Sequence, residues 1–226
     1  NRALIDKLDE NAPIFNNLPP IAGALTWAAS LQTRASEPYA RLLKVDGELK
    51  DKEEFKEMEK LYEQVKKTLE DYRSSKTLAW QKEIEETTEE KLNQPLLTRN
   101  KTTNTLSVNF DPALVKLLKE VKYLYQLKID VPVRASQIYG NASVYRTQIN
   151  RLDQIVSMYN SVITSVNEVE EPLIIEKIKK MDKALEPGVA ELRWKSAGLT
   201  EFINRAQIVV EEVFKIINKM KEDLGK

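Results

Sequence analysis

Apolar side chains return every three or four positions along most of this 226-residue chain, the spacing of one face of an α-helix. The first clear run follows Leu18-Pro19-Pro20, where Pro20 suits the opening position of a helix because its missing N–H has no partner to lose. Leu25, Ala28, Leu31 and Ala35 then form a stripe, with Trp27 beside it, that predicts a helix from Pro20 to about Leu43. Pro38 is expected to kink it or end its regular part. Residues 1–11 read as the tail of an earlier helix. In the charged stretch 44–91, Phe55, Met58, Tyr62, Val65 and Leu69 predict one amphipathic helix. A second, from about Tyr72 to Lys91, carries Leu78, Trp80 and Ile84. Around residues 95–110 the period changes: Leu106, Val108 and Phe110 alternate with Ser107 and Asn109 after a polar turn, which predicts a small β-hairpin lying on helices.

Asp111-Pro112 has the residue types of a capped helix start, and Leu114, Leu117, Leu118, Val121, Leu124 and Tyr125 give that helix its buried face. Val131-Pro132 closes the unit. Beyond it, Ile149, Leu152, Val156, Tyr159, Ile163 and Val166 form one seam and Leu199, Phe202, Ala206, Val209, Val213, Ile216 and Met220 another. Both fit left-handed, near-antiparallel packing. Between them Glu171-Pro172 starts a shorter helix with Ile174, Ile178, Met181 and Leu185, broken at Glu186-Pro187-Gly188. The expectation is a mostly all-α fold of elongated, stacked helical bundles with one β-hairpin near 95–110. The bundles are placed at 1–132, carrying the charged insert 44–91, and at 133–226. A helix from Ala142 to Glu170, at about 1.5 Å per residue, would cross the whole width of a compact domain of this size.

Composition removes most catalytic readings. The chain has no Cys and no His, so thiolate zinc sites, iron–sulfur clusters, disulfides and the usual neutral-pH base are absent. Its six glycines are isolated, so no phosphate-cradling loop is present, and the EF-hand spacing does not occur. The carboxylate clusters Glu53-Glu54, Glu85-Glu86, Glu89-Glu90 and Glu170-Glu171 lie in polar stretches, where pKa shifts are small. Catalytic residues, cofactors and metals are therefore expected to be none. With 35 Lys+Arg against 35 Asp+Glu, the net charge of zero argues against a nucleic-acid or anionic-membrane binder, and no apolar run is long enough to span a bilayer. Asn100-Lys101-Thr102 and Asn141-Ala142-Ser143 match a glycosylation triplet but stand without any other secretory sign.

Aromatic residues remain as candidate contacts. Trp27, Trp80 and Trp194 are each expected in an amphipathic helix, and packing within the fold competes with a role as partner anchors. Trp27, Trp194 and Phe202 are the candidate partner-binding residues. Tyr39, Tyr139 and Tyr145 flank breaks and carry the same ambiguity.

Three stretches resemble the N-terminal tail region of dynein heavy chains. Leu18-Pro19-Pro20-Ile21-Ala22-Gly23-Ala24-Leu25-Thr26-Trp27-Ala28 is similar to that family's Pro-Pro helix opening. Leu106-Ser107-Val108-Asn109-Phe110, with Lys119-Glu120-Val121 and Val131-Pro132, resembles its short strand and the helix that follows. Leu192, Trp194, Phe202 and Ile203 are the third match. Charged stretch 44–91 carries no such signature. The resemblance implies a non-catalytic piece of a very large motor chain, one that associates with other heavy chains and binds WD-repeat intermediate chains, with light chains indirectly attached. It implies that ATP hydrolysis belongs to a distant AAA+ ring. The first stretch is more like axonemal outer-arm chains than cytoplasmic dynein, which implies a cilium or flagellum. The competing reading is a rod-shaped adaptor that tethers proteins or membranes.

Overall fold

A computed structural model of the chain describes residues 17–44, 52–166 and 171–224. Among them are seven helices and one hairpin: α1 (Pro20–Leu42), α2 (Glu53–Leu92), β1 (Leu97–Arg99), β2 (Leu106–Val108), α3 (Pro112–Gln126), α4 (Val133–Gly140), α5 (Ala142–Ser165), α6 (Glu171–Ala190) and α7 (Leu199–Leu224). The all-α class with a single two-stranded hairpin holds. The helix expected at 1–11 lies outside the described residues.

Two compact units make up the chain, and they interleave in sequence. One takes residues up to Glu86 together with Val115–Tyr139; the other takes Thr87–Leu114 together with Gly140 onward. This division differs from a break at 132/133. The hairpin goes with the C-terminal helices because its strands pack on α5 and α6.

In the first unit, α1 and α2 pair antiparallel. Ala24 and Ala28 meet Leu69 and Tyr72, with Trp27, Leu31 and Val65 at the edge of that cluster. Farther along, Tyr39 stacks on Tyr62 with ring centres 4.1 Å apart. Small residues at 24 and 28 let the helices approach closely. Pro38 lies inside α1, which runs on to Leu42. The two helices expected between Phe55 and Lys91 are one helix of 40 residues. Glu70-Asp71-Tyr72-Arg73 contains neither Gly nor Pro, so nothing interrupts the backbone ladder there. Leu78 is 65% exposed, while Trp80, Ile84 and Leu92 are buried. At 100° per residue Leu78 lies nearly opposite Trp80, so one helix face cannot bury both. On α3, Leu114, Leu117, Val121 and Leu124 are buried as read, Leu118 is half-buried and Tyr125 is 46% exposed.

The second unit is an up-down-up arrangement of α5, α6 and α7. Arg151 bonds Gln207 and Lys221 bonds the Ser165 carbonyl, each a separation of 56 residues. A constant offset means that α5 and α7 run parallel, which corrects the antiparallel reading. The returning pass is α6, whose Lys180 pairs with Glu212 of α7 at 3.0 Å. The helical run from Ala142 stops at Ser165, where Val166 is extended (φ −80°, ψ 130°). α6 continues through Pro187 to Ala190. Proline removes one donor, and so near the helix end only the last turn absorbs the loss. Gly188 is a close-approach position, since a Cβ there would lie 2.8 Å from the Phe202 ring and 3.1 Å from Leu97.

Both seams are rotated from their predicted centres. On α5 the buried residues are Tyr145, Leu152, Ile155, Val156, Tyr159 and Val162, with Ile163 only half-buried. On α7 they are Leu199, Phe202, Ile203, Ala206, Val210, Val213 and Ile217, while Val209, Ile216 and Met220 are half-buried. Each helix carries two adjacent apolar columns, and only the neighbouring helices decide which column is central. Ile217→Ala is therefore expected to cost about 2–5 kcal/mol. Ile216→Ala should cost clearly less, and equal shifts of the urea midpoint would contradict this seam.

Candidate functional site

Three groups of polar contacts join separate stretches of the sequence. The first is the start of α1. Pro19 and Pro20 have no N–H, so the first donors exposed at this helix end belong to Ile21 and Ala22. The Glu120 carboxylate, carried inward by α3, accepts both, each at 3.0 Å. Its negative charge also sits at the positive end of the α1 dipole. Burial pushes the Glu120 carboxyl above the ordinary glutamate range, and the two N–H bonds pull partly back.

The second point joins the hairpin to its bundle. Arg99, at the end of β1, donates to the Tyr159 hydroxyl at 2.7 Å and to Asp182 at 2.9 Å. Tyr159 in turn donates to Asp182 at 2.7 Å. Burial and Asp182 hold the Tyr159 hydroxyl up at about 12, so it stays protonated as a donor. Beside it the Asn160 side chain imitates a neighbouring strand, donating to the Leu106 carbonyl and accepting from the Leu106 N–H, both at 2.8 Å. The outer edge of β2 is thereby closed at Leu106.

The third point centres on Trp194, which lies in the turn between α6 and α7 and not on a helix as its amphipathic setting predicted. Its indole N–H donates to the Asn109 carbonyl at 2.7 Å. The ring meets Phe110 and Tyr145 edge-on, at 5.0 and 6.4 Å. Close by, the backbone of Leu96 bonds Leu192, and Pro95 bridges Arg193.

Of the candidate contact residues, Trp194 (3% exposed) and Phe202 (4%) are enclosed in the second unit and offer no free ring. Trp27 is half-buried against Tyr72, with rings 6.2 Å apart, and keeps part of its surface open. Tyr145 is buried, and Tyr139 packs on Tyr125. Sequence reading missed Glu120, Arg99 and Asp182. A lone acid among lysines at 116, 119 and 122 was the available signal for Glu120. Among the described residues no group of three acidic side chains is placed to hold a metal. One open apolar groove of about 1000 Å³ lies along α1 and α2, lined by Pro38, Tyr39, Leu42, Met58, Leu61 and Val65 among others. Neither Glu120 nor Tyr159 lines it.

These contacts tie the sequence motifs together in pairs. The Pro19-Pro20-Ile21-Ala22 opening bonds to Lys119-Glu120-Val121 through Glu120. Asn109, just past β2, bonds to the Leu192–Trp194 stretch through the indole. Residues 2–202 match the family model described as dynein heavy chain, N-terminal region 1. The chain is 32% identical, over 93% of its length, to the dynein beta chain of the flagellar outer arm of Chlamydomonas reinhardtii. It is 31% identical over 98% of its length to the ciliary dynein beta chain of Tripneustes gratilla, and 28% identical over 94% to human dynein axonemal heavy chain 9. It spans 5% of the length of each of these relatives.

Replacing Glu120 by Ala is expected to cost about 2–4 kcal/mol, because two N–H groups lose their acceptor. The sign of the pH effect follows from the raised folded value. Stability from this group is fully present below the unfolded glutamate value and is lost as pH rises through the folded one. Wild type should therefore gain on Glu120→Gln as the pH is lowered from neutral to about 4.5; urea titrations of both proteins at the two pH values would check it. Arg99→Lys keeps the charge but cannot reach Tyr159 and Asp182 with one planar group. It should lower the thermal midpoint, and an unchanged midpoint would remove Arg99 from the clamp.

Proposed function

Because the chain belongs to the dynein heavy-chain N-terminal region family, we propose that it is a non-catalytic tail segment of an axonemal heavy chain. In this reading it associates with other heavy chains and binds WD-repeat intermediate chains of a ciliary or flagellar motor, and it works without a cofactor. The match across residues 2–202, with flagellar, ciliary and axonemal heavy chains among the relatives, is the observation that carries it.

Physical features support the same reading. The Glu120, Arg99–Tyr159–Asp182 and Trp194 groups each hold one stretch of chain against another, as a scaffold requires. No helix among the described residues is long and apolar enough to cross a membrane. The outward charges are balanced and mostly solvated, which suits specific protein contacts over a phosphate polymer.

The test is capture. The 226-residue chain, folded by circular dichroism, should retain purified axonemal intermediate chain on a resin and show no ATP hydrolysis above buffer. Failure to retain any dynein subunit would count against the reading. Co-sedimentation with anionic liposomes would favour the tethering adaptor instead.

A further inference from the structure

We infer that the outward face of α3 is a docking surface for an acidic amphipathic helix of another protein. Within α3 the charged residues are Lys116, Lys119, Glu120 and Lys122. Glu120 stands four residues after Lys116, where it would ordinarily neutralise a lysine on the same helix face. It is turned inward instead, to the N–H groups of Ile21 and Ala22. All three lysines are exposed and none is in an ion pair. Elsewhere Lys56 pairs with Glu53, Lys82 with Glu86, Lys179 with Glu176 and Lys180 with Glu212, and the unpaired Lys60 and Lys67 of α2 have exposed Glu57, Glu63 and Glu70 three or four residues away. A chain of zero net charge thus carries an unneutralised basic strip, created by the same contact that closes its first unit.

The strip also has apolar ends. Val115 is 41% exposed and Tyr125 is 46% exposed. At 100° per residue Val115, Lys119, Lys122 and Gln126 fall within one narrow line, flanked by Lys116 and Tyr125. Apolar and tyrosine anchors around basic groups are the make-up of a protein interface. From Lys116 to Lys122 the strip is about 9 Å long, at about 1.5 Å per residue. This is too short for the several phosphate contacts that nucleic-acid binding needs. It matches carboxylates placed three and four residues apart on a facing helix, and opposite potentials would steer the two together.

The experiment uses the 226-residue chain and a labelled synthetic helix of about 20 residues, with glutamates at i, i+3 and i+7 beside leucines. A second peptide has the same composition with the glutamates scattered. The ordered peptide should bind more tightly than the scattered one, and binding should weaken as salt rises. The K116E/K119E/K122E variant should lose about tenfold in affinity while keeping its melting midpoint. A control variant, K56E/K60E/K67E on α2, should bind like wild type. Equal losses in the two variants, no preference between the peptides, or no binding would each overturn the inference. So would tighter capture by phosphatidylserine vesicles or single-stranded DNA that the α3 variant abolishes.

Discussion

A helix that opens on two prolines has to find acceptors for the N–H groups that follow them, and here the acceptor comes from 98 residues away. The Glu120 carboxylate does three things at once. It satisfies two donors, opposes the helix dipole and fixes α3 against the start of α1. The cost is a carboxylate moved out of water, seen in its raised titration. The arrangement is tolerable because both oxygens are bonded. It also explains why a Pro-Pro opening and a Lys-Glu-Val triplet, distant in sequence, belong to one structural unit.

The second unit follows the same logic with different chemistry. A two-stranded hairpin is marginal by itself, and this one is held through its edges and its terminal arginine. Asn160 completes the backbone pairing of Leu106, and Arg99 reaches across to helices α5 and α6 through Tyr159 and Asp182. Trp194 then fixes the exit of β2 by its indole N–H. Arg99, Asn160 and Trp194 each have a defined partner across the hairpin, so the hairpin has a single seat. For a protein whose proposed task is to hold others in place, such singular seating is the property that matters.

Polar residues used inside leave consequences outside. Turning Glu120 inward strips α3 of its only acid, and the lysines around it remain unneutralised. Burial of Trp194 and Phe202 has the opposite effect, removing two large aromatics from the surface available to partners. Internal packing therefore selects which residues of this tail segment can meet another protein.

The sequence by itself determined the long helices, the hairpin, the Asp111 cap and the family, but not the short helix α4 that follows Val131-Pro132. Each depends on local signals: apolar spacing, proline positions, a two-residue alternation and short motifs. Asp111 indeed accepts from the Ala113 N–H at 2.7 Å. Continuity of α2 was not read, since two helices were expected there; the absence of Gly or Pro between Leu69 and Arg73 was the signal available for it. The direction of α7 relative to α5, the central column of each seam, the unit to which the hairpin belongs and the roles of Glu120, Arg99 and Asp182 were decided only by the tertiary structure. An apolar stripe states that a helix face is covered but not by what. A charged residue in a polar stretch shows its role only when a distant backbone group arrives beside it.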